Sequence, residues 1–292
     1  MRLWNCVLLV FFLAINFPLA VSAQGYVAQD AVAPLLNTQG NLPAVQPVSW
    51  HLYQIPAKLK TKKAVLEALE QHLDSLPGGL RTQRMHIVEL SNRVRTQYIL
   101  QRHELLIPDS FPADYRAYAP YPLAYAGADT IAKLFIIDKY TQTFGAYANG
   151  QLVRWGLVST GIQDEATPNG RFTFNWRDAV RLSSEAPAGE VWEMRWVWNF
   201  QEARGIHVHQ YHLPIGTPAS HGCVRLSEAD ARWNFDWADK NTVVLVLNHI
   251  PYGIAAHWQM GATNAFSLIN LPGNPMEVPD GHNQDAVAAG GW

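Results

Sequence analysis

Ser220-His221-Gly222-Cys223-Val224-Arg225 places a thiol, an imidazole, a glycine and a guanidinium within six residues. Just upstream, Gly205-Ile206-His207-Val208-His209-Gln210-Tyr211 reads as a strand. Side chains alternate along a strand, so His207, His209 and Tyr211 share one face while Ile206 and Val208 take the other. Leu213-Pro214-Ile215-Gly216-Thr217-Pro218-Ala219 between them is loop chemistry throughout. Strand and cysteine segment therefore fold back so that an imidazole meets the thiol. A cysteine attacks as its thiolate, and a neighbouring imidazolium lowers the thiol pKa. Alone, a cysteine is ordinarily a small buried apolar residue and a strand histidine a hydrogen-bonded structural one. Their concentration in one short stretch is what favours chemistry.

Outward from this segment the texture is that of strands. Leu134-Phe135-Ile136-Ile137-Asp138 has the pattern of a buried strand. Thr143 to Tyr147 and Gln151 to Trp155 flank Asn149-Gly150, a strong signal for a two-residue hairpin turn. Leu157-Val158-Ser159-Thr160-Gly161 follows, then Thr167-Pro168-Asn169-Gly170-Arg171-Phe172. Val191 to Asn199 alternates strictly, which puts Trp192, Met194, Trp196 and Trp198 on one face. Such a stripe either stacks on sugar rings or, as is commoner, packs the interior of a sandwich or barrel. After the cysteine, Ser227-Glu228-Ala229-Asp230 has the form of a capping box opening a helix through about Trp237, and Val243 to Leu247 is a closing strand.

Ser220-His221-Gly222-Cys223-Val224-Arg225 resembles the SHGC(V/I)R signature of the YkuD-type L,D-transpeptidases of bacterial cell walls. The order upstream resembles the same family: a strand ending in Asp138, a hairpin leading to Val158-Ser159-Thr160-Gly161, then Thr167-Pro168-Asn169-Gly170-Arg171-Phe172. The resemblance runs from about Ile131 to Leu247. It implies a mostly β catalytic domain of sandwich or barrel-like YkuD fold, with a short helix after the catalytic cysteine. It also implies acyl transfer on peptidoglycan stem peptides. Cys223 attacks the carbonyl of the third residue, usually a diamino acid, and releases the terminal D-alanine. The thioester then passes to an amine of a second stem or of a wall-anchored protein. Water as acceptor makes the enzyme an L,D-carboxypeptidase or hydrolase. No metal or organic cofactor is required.

Within this reading Gly222 lets the main chain approach the substrate and its oxyanion closely. Ser220 and His221 support the loop. Arg225 offers a bidentate fork for a substrate carboxylate, or alternatively braces the loop through carbonyl oxygens. The base is one of two histidines. His207 matches the loop length of family members that read I-H-G-T, and His209 matches members with a short L-P-G-x-P-A-S-H-G-C loop. Neither precedes the usual glycine, since Val208 and Gln210 stand there. The loop similarity favours His209, with His207 orienting it or touching substrate. His212 reads as a surface residue. Two rivals remain: a zinc site built from His207, His209, His212 and Cys223, and a non-catalytic wall-binding protein.

The rest of the chain frames this domain. Residues 1–23 carry an early positive charge at Arg2, an apolar run from Val7 to Ala20, and small residues ending in Val21-Ser22-Ala23. This reads as a cleaved signal peptide, with an uncleaved anchor as the alternative, and implies export to the periplasm or cell-wall space with no stable membrane span after cleavage. Cys6 would be lost with it, leaving Cys223 as the only thiol of the two in the chain. A net charge of −2 argues against a nucleic-acid partner, which would call for a basic patch or stripe. Residues 24–48 read as a flexible lead-in and 49–129 as an α-containing accessory region and linker, with a helix over about Lys58 to Leu76. Asn92-Arg93 followed by Leu105-Leu106-Ile107-Pro108 resembles the end of a LysM wall-binding module; the alternative is a subdomain that braces the catalytic one. Pro108, Pro112, Pro120 and Pro122 mark a linker-like stretch. The catalytic domain is expected over 130–250, and 251–292 as a low-complexity, loosely draped tail.

Overall fold

The computed structural model describes residues 25–40, 44–248 and 271–282. The expected signal peptide, Cys6 and most of the C-terminal segment lie outside these residues. Among the described residues no helix is long and apolar enough to cross a membrane.

The lead-in is not an exposed segment. Helix α1 (Gln29–Leu36) buries Val32, Leu35 and Leu36. Gln29 Nε2 donates to the Tyr211 carbonyl at 2.7 Å, and its Oε1 accepts from Glu228 N at 2.9 Å. Gln39 bonds the backbone N–H and carbonyl of Trp155 at 2.8 and 2.9 Å. Composition misleads here because the polar side chains bond distant backbone instead of water.

Strand β1 (Trp50–Gln54), helices α2 (Lys62–Asp74) and α3 (Arg81–Asn92) and strand β2 (Glu104–Pro108) follow. β1 and β2 pair antiparallel. Helix α2 starts at Thr61, whose hydroxyl caps Ala64 N at 3.2 Å, and its buried stripe is Val65, Leu69 and Leu73. Ile87, Val88 and Leu90 are the buried apolar face of helix α3. Asn92 ends it by donating to the Val88 and Leu106 carbonyls and accepting from Leu106 N, all at 2.7–2.8 Å. One side chain thus stitches α3 to β2.

The proline-marked stretch is no free linker either. Tyr115, Tyr118, Tyr121 and Tyr125 are buried within it. Tyr115 stacks on Trp155 at 4.6 Å, and the Tyr118 hydroxyl donates to the Pro112 carbonyl at 2.8 Å. Prolines set the path of this segment, while large amphipathic rings decide that it is packed.

The remaining strands are β3 (Lys133–Asp138), β4 (Thr143–Ala148), β5 (Gln151–Leu157), β6 (Gly170–Thr173), β7 (Arg177–Leu182), β8 (Glu193–Gln201), β9 (Ile206–Gln210), β10 (Val224–Leu226) and β11 (Val243–Leu247). Helix α4 (Glu228–Trp237) begins at Ser227, which caps Asp230 N at 3.2 Å. One sheet has the order β5-β4-β3-β11-β6 and the other β10-β9-β8-β7. Asn149 and Gly150 turn β4 into β5 with φ of 47° and 71°, the doubly positive geometry of a tight hairpin turn.

The two sheets pack as a sandwich. Phe135, Ile137, Phe144, Val244 and Val246 meet Trp198, Phe200, Ile206, Val208 and Val224 in one core. The other face of the five-stranded sheet, carrying Leu134, Ile136, Tyr147, Trp155 and Leu245, joins a second core with the N-terminal helices and tyrosines. A sheet covered on both faces needs continuous apolar strands, which is why β3 and β11 read that way.

The tail expectation also needs correction for residues 271–282. Arg171 N donates to the Pro279 carbonyl at 2.8 Å, and Gly281 N donates to the Arg171 carbonyl at 3.0 Å. This strap lies along β6, an edge strand whose backbone groups would otherwise be open. A Cβ on Gly281 would enter the Phe172 ring, so the close approach requires glycine.

Candidate active site

The site grows from a parallel pairing. Val224 of β10 stands opposite Val208 of β9, and Arg225 opposite His209. Cys223, one residue before Val224, therefore comes level with His207. Its Sγ lies 3.7 Å from His207 Nδ1 and 4.0 Å from the Gly205 carbonyl. His209 Nδ1 bonds the Gln210 carbonyl at 2.9 Å instead. Loop length favours His209 as base, whereas the register puts His207 against the thiol.

Two segments hold the cysteine turn. Ser159 and Arg225 exchange backbone hydrogen bonds at 3.1 and 2.9 Å, the Thr160 carbonyl accepts from Ala219 N and Ser220 N, and Ile162 N donates to the Ser220 carbonyl. Thr167 Oγ1 donates to the Gly222 carbonyl at 2.8 Å and accepts from Gly161 N at 3.0 Å. The Val158–Gly161 and Thr167–Gly170 landmarks therefore brace the turn that carries the thiol. Inside the turn, Ser220 Oγ donates to the Cys223 carbonyl and accepts from Gly222 N at 3.2 Å. Gly222 has φ of 110°, a backbone conformation open to glycine. His221 lies outward, stacked on Trp192 at 5.9 Å, with Nε2 3.7 Å from Glu165 Oε2.

Electrostatics set the resting state. Burial pushes both His207 and His209 down from 6.5 to about 4, and Arg181 adds to this at His207. Burial also raises the Cys223 thiol above its ordinary 9.0; His207 and Arg225 pull it down without offsetting this. Burial thus works against a thiolate–imidazolium pair at both partners. Arg225 is half-buried, with its guanidinium 4.9 Å over the Tyr211 ring.

Thiol and imidazole open into a cleft of about 180 Å³ walled by the β7–β8 connection, with Leu182, Glu185, Trp192 and Met194 on one side and Arg204 and Tyr211 on others. The tryptophan stripe is split by a β-bulge. Between Arg195 and Trp198 the register against β9 slips, and Trp196 has φ of 55°. The slip reverses the side-chain alternation, so Met194 faces the cleft and Trp198 enters the core beside Phe174. Trp196 turns its indole N–H to Glu228 at 2.7 Å. Arg181, Arg204 and Thr167 were not singled out as site residues from the sequence; Thr167 stood inside a recognised landmark, whereas the two arginines carry no local signal. Among the described residues no three His, Cys, Asp or Glu side chains converge as metal ligands.

A thiol with an imidazole in reach, carried on a glycine turn at a cleft, is the group set that nucleophilic cysteine catalysis needs. Residues 132–246 match the YkuD family model, the L,D-transpeptidase catalytic domain. Among solved structures, an L,D-transpeptidase from Mycobacterium smegmatis is 24% identical over 40% of this chain and 58% of its own, with TM-score 0.36. One from Stackebrandtia nassauensis is 24% identical over 41% and 57%, with TM-score 0.37. One from Mycobacterium tuberculosis H37Rv is 23% identical over 40% and 58%, with TM-score 0.36. The chain thus spans less than two thirds of the length of these structures. No curated protein matches it.

Proposed function

We propose that this protein is an exported cysteine acyltransferase that acts on peptidoglycan stem peptides in the periplasm or cell-wall space. The observation that carries the chemistry is the 3.7 Å approach of Cys223 Sγ to His207 Nδ1. His207 Nδ1 takes the thiol proton as sulfur attacks the carbonyl of the third stem residue. Backbone N–H groups of the Gly222-Cys223 turn meet the oxyanion. The intermediate collapses by breaking the C–N bond, and the proton on Nδ1 leaves with the D-alanine amine. An acceptor amine, from a second stem or a wall-anchored protein, then attacks the thioester and gives a proton to Nδ1. The sulfur leaves and regains that proton. His207 Nδ1 must begin as the acceptor, so the ring proton sits on the buried Nε2. His209 and Arg225 hold the neighbouring register position, where the guanidinium receives a donor carboxylate.

The test is release of D-alanine from a tetrapeptide stem by wild type and by Cys223→Ala. Wild-type release, lost in the variant at unchanged melting temperature, is the expected result. Equal turnover by a folded Cys223→Ala protein removes the thiol from the reaction.

A further inference from the structure

His207 is a buried imidazole whose two nitrogens meet different surroundings. Its Nδ1 faces Cys223 Sγ at 3.7 Å, and its Nε2 has no hydrogen-bond partner among the described residues. A buried N–H without an acceptor is costly, and the tautomer of a histidine is ordinarily set by what its second nitrogen bonds. What the ring has instead is the Trp176 indole, with centroids 5.1 Å apart and planes at 63°. At that angle the edge of one ring meets the face of the other. Trp176 is half-buried, stands just before β7 and is not part of the cleft wall at the thiol. Its backbone is held by β8. Asn199 stands opposite His207 and donates its N–H to the Trp176 carbonyl at 2.9 Å, while Asn175 N donates to the Asn199 carbonyl at 2.8 Å. Asn199 Nδ2 in turn donates to the Ile206 carbonyl at 3.1 Å. The Arg181 guanidinium lies 4.8 Å over the same indole. Register across β8 and a cation–π contact thus hold the indole against the imidazole.

We infer that Trp176 is the positioning residue of His207, its indole face taking the Nε2–H in place of an oxygen acceptor. The face of the ring carries partial negative charge, so it attracts an N–H and repels a nitrogen lone pair. The Nε2–H tautomer is thereby favoured over the Nδ1–H one. In the favoured form Nδ1 presents its lone pair to Cys223 Sγ. In the other form it would present a proton, and the thiol could not hand its own proton over. Arg181, over the same indole, disfavours the imidazolium through its charge, so the ring rests as a neutral base. This rests on the acyl-transfer reading above and deepens it: Trp176 stands off the cleft and acts through the proton position of the base.

The experiment reads the tautomer directly. Protein labelled with 15N-histidine gives the imidazole nitrogen shifts at neutral pH, and His207 is identified by the signals lost in His207→Gln. Wild type and Trp176→Phe are expected to show a protonated Nε2 and an unprotonated Nδ1. Trp176→Leu should move His207 to the Nδ1–H form or to a mixture. It should also lower kcat for D-alanine release by about tenfold or more, with KM little changed. Trp176→Phe, which keeps an aromatic face, should restore most of kcat. Trp176→Met replaces Trp176→Leu if the latter does not fold. A wild-type His207 protonated at Nδ1 overturns the inference. So does a folded Trp176→Leu protein with an unchanged tautomer, whatever its rate. The spectrum needs no substrate, so wild type that releases no D-alanine overturns the acyl-transfer reading alone.

Discussion

Cys223 Sγ faces His207 Nδ1 at 3.7 Å, because Cys223 lies level with His207 across the parallel β9–β10 pair. His209 shares the face but is level with Arg225. Both histidines are buried and have similarly depressed pKa values, so it is the register that separates their access to the thiol.

His207→Ala is therefore expected to lower D-alanine release by about a hundredfold or more, the usual worth of a positioned base. His209→Ala should retain most of the rate and instead lose stability, on the order of 1–3 kcal/mol. Steady-state rates and urea midpoints for both variants check this. The reverse pattern returns the base to His209.

The pH behaviour follows from the directions of the shifts. The thiol sits above 9.0, so iodoacetamide labelling of the free enzyme should climb through neutral pH towards alkaline pH without a plateau between pH 5 and 7. A flat labelling rate from pH 5 upward would contradict a resting neutral thiol. His207 and His209 are held at about 4 against 6.5 when exposed, so on acidification the unfolded chain binds their protons first. The stability present above pH 6.5 should thus be lost progressively as pH falls towards 4. Urea midpoints across that range should decline less in His209→Gln.

Thr167 holds the cysteine turn through one donated and one accepted hydrogen bond. Thr167→Val keeps the shape and leaves the buried Gly161 N–H and Gly222 carbonyl unpaired. A stability loss of about 1–3 kcal/mol is expected. The displaced turn should lower kcat on the order of a hundredfold. Thr167→Ser should preserve both. A Thr167→Val enzyme with wild-type kcat would show that the turn holds itself.

The local chemistry of the chain was legible without coordinates. Alternation placed His207 and His209 on one face of β9 with Tyr211 just beyond it, turn chemistry placed Asn149-Gly150 at a hairpin turn, and capping placed Ser227 at the start of a helix, and all three are observed. These depend on neighbours a few residues apart, where alternation and turn stereochemistry are decided. Composition served less well. The lead-in and the proline-marked stretch read as loose, yet α1 and the buried tyrosines complete the second core, because their partners lie outside the segment itself, 40 residues on for Tyr115 and 116 and 182 for Gln39 and Gln29.

Only the tertiary structure decided which histidine meets the thiol, since a strand's side-chain pattern does not state what its neighbour's register is. It likewise decided that Trp198 belongs to the core and Met194 to the cleft, through a bulge that the alternating sequence of β8 conceals. Burial, which holds the thiol and both imidazoles neutral, is a property of the packed sandwich and is written in no single segment. The sequence by itself determined the chemical groups and the elements that carry them. Their contacts were settled by strand pairing and packing, which act between residues far apart in the chain.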